Sequence, residues 1–83
     1  MDNNDVDFKK DVGHRVKRLR LGSGETQDVL AERCGIYRTY LSRIEAGAAN
    51  PTLVVLAALA AALHVRLCDL FCDAAAPAPT TAP

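Results

Sequence analysis

The sequence predicts an all-α fold, a compact bundle of four to five helices. Apolar residues recur every three or four positions in separate segments, which is the spacing of one helix face rather than of a strand. Threonine and glycine residues stand where these segments begin and end, as helix caps do. Apolar residues make up 49% of the 83 positions, so one core can close, and the chain is too short for a second domain.

The first predicted helix has four apolar residues on one face: Phe8, Val12, Val16 and Leu19. Asp5 or Asp7 is placed to favour the start of this helix, because carboxylates stabilise helix N-termini. The sequence Gly-Ser-Gly at 22–24 ends it.

The second and third predicted helices are joined by a turn of about three residues. Thr26 can cap a second helix that runs over 27–34, and Gly35 supplies the left-handed residue that stops it. The third helix is expected over about 38–46, with Gly47 as its terminator. The residues of this part that are predicted to face inward are Leu30, Ala31, Cys34, Ile36, Leu41 and Ile44.

A fourth helix is predicted over about 53–63, with Thr52 as its N-cap, and a short fifth helix over about 67–71. The core positions expected on the fourth helix are Leu53, Leu56, Ala60 and Leu63. These elements divide the chain into a flexible N-terminus (1–7), a single domain (8–73) and a disordered tail rich in Pro, Ala and Thr (74–83).

Charge and apolar content limit the classes of protein to which the chain can belong. Lys plus Arg and Asp plus Glu both total 10, but a local basic stripe runs from Arg15 to Arg20. The longest apolar run is eleven residues, well short of the ~20 that span a bilayer. Three cysteines behind an acidic, polar N-terminus indicate reduced thiols. We expect a cytoplasmic protein with no membrane partner.

Two short helices joined by a tight turn can place one helix across the DNA backbone and the next in the major groove. The segment TQDVLAERCGIYRTYLSRIEAG, with VGHRVKRLR before it and NPTLVVLAALAAALHVRLCDLF after it, resembles the lambda-repressor and Cro (XRE-type) helix-turn-helix regulators. Within that family, RTYLSRIE is similar to the recognition helix of restriction-modification controller proteins. The resemblance implies a lambda repressor-like fold with a central helix-turn-helix, and a DNA-binding repressor or controller that is not an enzyme.

Five side chains of the third helix face away from its core positions and can reach base edges: Tyr37, Arg38, Thr39, Ser42 and Arg43. Gln27 matches the phosphate-binding glutamine of the family. Further phosphate contacts are expected from Tyr40, Asn50, Lys17 and Arg15. The resemblance also implies a structural ion pair between Arg20 and Glu45, which joins the first helix to the third.

The fourth helix is apolar on every face, so it needs a second burying surface. We expect that surface to be a twofold homodimer interface formed by Val55, Ala58, Ala62, Leu67 and Phe71. A dimer would present two recognition helices about one DNA turn apart to a palindromic operator. The alternative explanation for the alanines is that alanine is simply a good helix former.

Two other functions remain open on the sequence. An antitoxin-like interaction module would use the apolar fourth helix to bind a different protein. His64, Cys68 and Cys72, spaced four residues apart, could offer zinc ligands, although a fourth ligand is missing and inert packing is the alternative. We therefore expect no metal, no cofactor and no small-molecule substrate.

Overall fold

A computed structural model of the chain describes residues 3–72, and the side chains from Phe8 onward. Its helices are α1 (Asn3–Ser23), α2 (Gln27–Cys34), α3 (Arg38–Glu45), α4 (Leu53–Ala62) and a short 3₁₀ helix (Leu67–Leu70). Within these described residues there is no strand, and the prediction of an all-α bundle of four to five helices is confirmed. None of the described helices is both long enough and apolar enough to cross a membrane.

The structure describes the start of α1 but neither end of the chain. Helix α1 begins at Asn3, earlier than the start expected near Asp5 or Asp7, so those two residues lie inside the helix. The flexibility expected of 1–7 stays a prediction, as residues 1 and 2 are outside the described part. The tail predicted over 74–83 also lies outside the described residues.

Local capping signals set the inner helix boundaries where the sequence predicts them. The Thr26 hydroxyl accepts a hydrogen bond from the Val29 amide at 3.2 Å, and the Thr52 hydroxyl accepts one from the Val55 amide at 3.1 Å. Gly35 ends α2 in the left-handed conformation, with φ of 72°. Because each of these signals is made within a few residues, the sequence alone was enough to find them.

One hydrophobic core joins all the helices. Its largest fully buried side chains are Leu30, Leu41, Ile44, Leu59, Leu70 and Val16. Burial of an aliphatic side chain of this size contributes roughly 1.5–3 kcal/mol, so these residues dominate the stability of the bundle. Cys34 and Ile36, which were also expected to face inward, are only half-buried against this core.

In α4 one expected core residue is exposed, and one buried residue was not predicted. Leu53 was expected in the core, but it is 64% exposed. Leu59 was predicted neither as a core position nor as an interface residue, but it is completely buried. The physical reason is that LVVLAALAAA contains no polar residue, so its sequence has no contrast that marks the inward face.

Phe8 also departs from the prediction that it faces the core with Val12 and Val16. Its side chain is 53% exposed, and its ring stacks on that of Phe71 with centroids 5.7 Å apart. The stacked rings join the start of α1 to the residue that follows the 3₁₀ helix. Phe8 therefore covers the edge of the core instead of filling it.

Helices α1 and α3 cross at Gly13. A Cβ atom built on Gly13 would lie 2.1 Å from the backbone oxygen of Ile44 and 3.0 Å from that of Glu45. Atoms this close overlap, so only glycine fits at this point of the helix. The crossing brings the end of α3 directly against the middle of α1.

Candidate nucleic-acid interface

The start of α2 and the start of α3 meet at an open cleft of about 530 Å³. The α1–α2 loop forms one wall of this cleft, and Gln27 and Arg38 both line it. The structure therefore places Gln27, which was predicted to hold a phosphate, and Arg38, which was predicted to read a base, on one cleft.

The outer face of α3 carries the five side chains that were expected to reach base edges. Four of them are exposed, and they are Tyr37, Arg38, Thr39 and Arg43. Ser42 is half-buried, while Leu41 and Ile44 on the opposite side are buried in the core. The helix thus has one apolar face that anchors it and one polar face that a ligand can reach.

Helix α3 begins without a side-chain cap. Tyr37 is its N-cap, its side chain makes no capping hydrogen bond, and that side chain is 83% exposed. The first helical hydrogen bond runs from the Leu41 amide to the Tyr37 carbonyl at 3.1 Å. Most of the Tyr37 side chain is therefore available for contact with a partner.

A buried network fixes α3 and Gln27 relative to α1. The Nε atom of Arg20 donates to Oε2 of Glu45 at 2.7 Å, and Nη2 of Arg20 donates to Oε1 of Glu45 at 3.0 Å. The same Oε1 accepts a second hydrogen bond, from Nε2 of Gln27, at 3.0 Å. The Gln27 amide group has two N–H bonds, so this contact leaves one for a phosphate.

The Glu45 carboxylate stabilises the charged form of the buried Arg20 side chain. Its hydrogen bonds to Glu45 raise the pKa of the guanidinium above its ordinary value, against the opposing effect of burial. The Nη1 atom of Arg20 also donates to the backbone oxygen of Glu25 at 2.9 Å, which fixes the loop before α2. Arg20 therefore ties together α1, the α1–α2 loop and α3.

The two arginines predicted to read bases have partners within the protein. The Nε atom of Arg38 lies 3.2 Å from Oδ1 of Asp28, and both side chains are exposed. The Nη2 atom of Arg43 donates to the backbone oxygen of Ala48 at 3.2 Å. Asp28 was not among the predicted site residues, and the only signal for it in the sequence is an acidic residue in the first turn of α2.

The other predicted phosphate contacts do not all surround this cleft. Tyr40 is half-buried against the core, and Arg15 is half-buried on α1. Lys17 is exposed beside a second cleft that is formed by α1 alone. Asn50 is exposed beside a third, small apolar cleft of about 120 Å³ near the rings of Phe8 and Phe71.

The residues predicted to form a dimer interface are half-buried within their own subunit. They are Val55, Ala58, Ala62, Leu67 and Phe71. Two of them are held by their backbone oxygens, since Cys34 Sγ donates to Ala58 at 3.6 Å and Arg33 Nη2 donates to Ala62 at 2.8 Å. Each of the five keeps a partly exposed side chain.

The cysteines and His64 do not assemble into a site in the described residues. Cys68 and Cys72 are exposed, and Cys34 is half-buried between α2 and α4. Across the described part of the chain, no three His, Cys, Asp or Glu side chains are grouped closely enough to hold a metal ion.

Comparisons with known proteins agree with this architecture. A helix-turn-helix domain family matches residues 11–70. An uncharacterized HTH-type transcriptional regulator, y4dJ of Sinorhizobium fredii, is 42% identical over 65 residues, which are 78% of this chain and 84% of the relative.

Two solved structures are similar to most of the described bundle. The restriction-modification controller protein C.AhdI from Aeromonas hydrophila has a TM-score of 0.74 and 35% identity, over 76% of this chain and 96% of that one. SinR, a master regulator of biofilm formation solved in complex with DNA, has a TM-score of 0.68 and 35% identity, over 71% of this chain and 95% of that one. Such relatives are regulators rather than enzymes, and this chain is not an enzyme. The chain belongs to the helix-turn-helix family of transcriptional regulators of the lambda-repressor and Cro type.

Proposed function

We propose that this protein is a repressor or controller that binds a palindromic operator as a homodimer, with α3 in the major groove. The observation that carries the proposal is the outer face of α3, whose polar side chains are exposed while a buried ion pair fixes the helix from behind. A reading helix needs both properties, because bases are distinguished only by side chains held in a defined position. Such a protein would act in the cytoplasm, on the nucleoid.

In this proposal each exposed side chain of α3 has its own contact with the bases. Arg38 and Arg43 would each pair with guanine through two hydrogen bonds, and Thr39 would contact a base with its hydroxyl or its methyl group. Tyr37 and Ser42 would contact the adjoining base edges. To contact a guanine, Arg43 would have to release its hydrogen bond to the Ala48 carbonyl. That bond is weak, because it lies at an exposed position.

Phosphate contacts would hold the protein in register on the duplex. The second N–H of the Gln27 amide and the N-terminus of α2 both favour an anion at this position. Lys17 and Arg15 on α1, with Tyr40 and Asn50, would bind the backbone further away. These contacts are independent of sequence, so they would set overall affinity and its dependence on salt.

The homodimer is proposed from the composition of α4, which contains no charged or polar residue. Val55, Ala58 and Ala62 on α4, with Leu67 and Phe71 after it, would meet the same residues of a second copy. Small residues at 58 and 62 would let the two helices approach closely. Because the interface is twofold, the two copies of α3 would read the two halves of a palindrome.

Selection of binding sites from a random duplex library tests the reading role. The wild-type protein should recover a palindromic motif, and Arg38→Ala should lose ~1–3 kcal/mol on that motif and relax its specificity at one position in each half. Lys17→Ala is the control, because a phosphate contact should weaken all sequences alike and reduce the salt slope by about one unit. Recovery of charge-driven background only, by the wild-type protein, would contradict the proposal.

Sedimentation of charged variants tests the interface. Ala58→Asp should convert the dimer to monomer, because it places a carboxylate in the proposed interface. Ala57→Asp is the matched control, since Ala57 is exposed on the neighbouring face of the same helix. If Ala57→Asp dissociates the dimer and Ala58→Asp does not, the interface lies on the other face.

The observation that favours the second candidate function, an antitoxin-like module, is the exposure of Leu53 and Val54 at 64% and 77%. Two apolar side chains in water at the start of α4 suit a protein partner. A wild-type protein that is monomeric and selects no DNA sequence would support this candidate over the regulator.

A further inference from the structure

The first turns of α2 and α3 are linked by a single ion pair in the cleft. Asp28 is the second residue of α2 and Arg38 is the first residue of α3. Oδ1 of Asp28 lies 3.2 Å from Nε of Arg38. An exposed pair of this kind contributes little to folding stability, so its effect has to be sought in how it places the arginine.

The contact with Asp28 limits the positions that the Arg38 guanidinium can take. An arginine has one N–H on Nε and four on its two Nη atoms, all in one plane. The Asp28 carboxylate lies at the Nε edge of this group, with Oδ1 3.2 Å from Nε. Guanine accepts two parallel N–H bonds, because O6 and N7 lie side by side on its major-groove edge, so the guanidinium must be held in a defined orientation to read it.

We propose that Asp28 is a specificity-determining residue that positions Arg38 for pairing with guanine. This inference rests on the proposed function. Asp28 acts through Arg38 and touches no base itself. It restricts the rotation of a long side chain before DNA is present, so less rotational freedom is lost when the base pair is contacted.

The Asp28 carboxylate, which should increase discrimination between bases, should also weaken binding to random DNA. Asp28 is 77% exposed at the rim of the cleft, so its negative charge would lie near the phosphates of bound DNA and repel them. Removing it should therefore strengthen binding to random DNA while it weakens discrimination at one base. A residue with only an electrostatic role would change both affinities in the same direction.

The test is a double-mutant cycle of the full chain measured by competition on three duplexes at one salt concentration. The proteins are wild type, Asp28→Ala, Arg38→Ala and the double variant. The duplexes are the selected operator, the same operator with the Arg38-dependent guanine replaced by adenine in both halves, and a random sequence. Glu32→Ala is the matched control, because it removes an exposed acid from the same helix one turn later.

In the wild-type background, Asp28→Ala should reduce the preference for guanine over adenine about 3- to 10-fold, part of the ~5- to 150-fold that a good two-bond contact supplies. Its affinity for random DNA should rise. In the Arg38→Ala background the same change should leave the preference as it is, since there is no arginine to position. Glu32→Ala should alter the affinity for all three duplexes by one factor.

Three results would overturn the inference. Equal changes on all three duplexes for Asp28→Ala, as for Glu32→Ala, would show that the carboxylate acts only by its charge. A loss of preference that persists without Arg38 would show that Asp28 works by another route. A wild-type protein that selects no sequence would remove the proposed function and this inference together. Asp28→Asn, which keeps the size of the side chain, replaces Asp28→Ala if thermal melting shows that the latter is unfolded.

Discussion

Adding one methyl group to Gly13 tests the crossing of α1 and α3, on which the placement of the outer face of α3 depends. The new Cβ atom would lie 2.1 Å from the Ile44 oxygen, more than 1 Å inside the normal contact distance. The obstacle is a backbone carbonyl, which cannot rotate away as a side chain can. Gly13→Ala should therefore force the two helices apart.

The magnitude follows from two opposing terms. Alanine is favoured over glycine within a helix by up to about 1 kcal/mol. Overpacking a core costs about 1–3 kcal/mol and more when the backbone must move. We expect a net loss of about 2 kcal/mol for Gly13→Ala, which lowers the melting temperature of a domain of this size by roughly 10 °C. DNA affinity should fall as well, because the end of α3 would be displaced.

Thermal unfolding followed by circular dichroism measures this effect, with Gly22→Ala as the control. Gly22 also lies in α1, but a Cβ atom there would meet nothing within 4 Å. Gly22→Ala should therefore raise the melting temperature slightly through helix propensity alone. If Gly13→Ala also melts at or above the wild-type temperature, the close approach of α1 and α3 is refuted.

Two further predictions concern buried groups. Glu45→Ala should lower the free energy of unfolding, measured in urea, by ~3–5 kcal/mol, because it leaves Arg20 buried without its carboxylate. Arg20→Met combined with Glu45→Leu should recover most of that loss. An unchanged unfolding midpoint for Glu45→Ala would refute the reasoning. Burial raises the pKa of the Cys34 thiol, so at neutral pH iodoacetamide should modify Cys68 and Cys72 well before Cys34, and the rate at Cys34 should increase as the pH rises and its thiolate forms. Mass spectrometry of the alkylated protein follows each site, and three equal rates would contradict the prediction.

The parts of the fold that the sequence predicts correctly are those encoded locally. Thr26, Gly35 and Thr52 act within one helical turn of themselves, so a single sequence reveals where α2 and α4 begin and where α2 ends. Leu53 was wrongly placed in the core and Leu59 was not predicted there, because α4 has no polar residue to mark its inward face. How such a helix packs on its neighbours then decides which face is buried. Shape matching of that kind depends on the neighbouring helices and leaves no periodic signal.

The candidate site shows the same division. The exposed residues of α3 could be identified from helical spacing relative to Leu41 and Ile44. The contact of Asp28 with Arg38 could not, because it depends on the angle between two helices. The close fit at Gly13 likewise exists only after α1 and α3 have packed.

The bare start of α3 has a consequence for how the protein moves. Thr26 holds the first turn of α2 through its hydroxyl, but Tyr37 makes no such bond for α3. A helix end without a side-chain acceptor opens more often, and its amide hydrogens are exchanged with solvent sooner. The amide of Tyr40, the third residue of α3, should then exchange deuterium faster than the amide of Val29, the third residue of α2. The turn that carries the first base-reading residues would thus be the most easily frayed end of the helix-turn-helix unit.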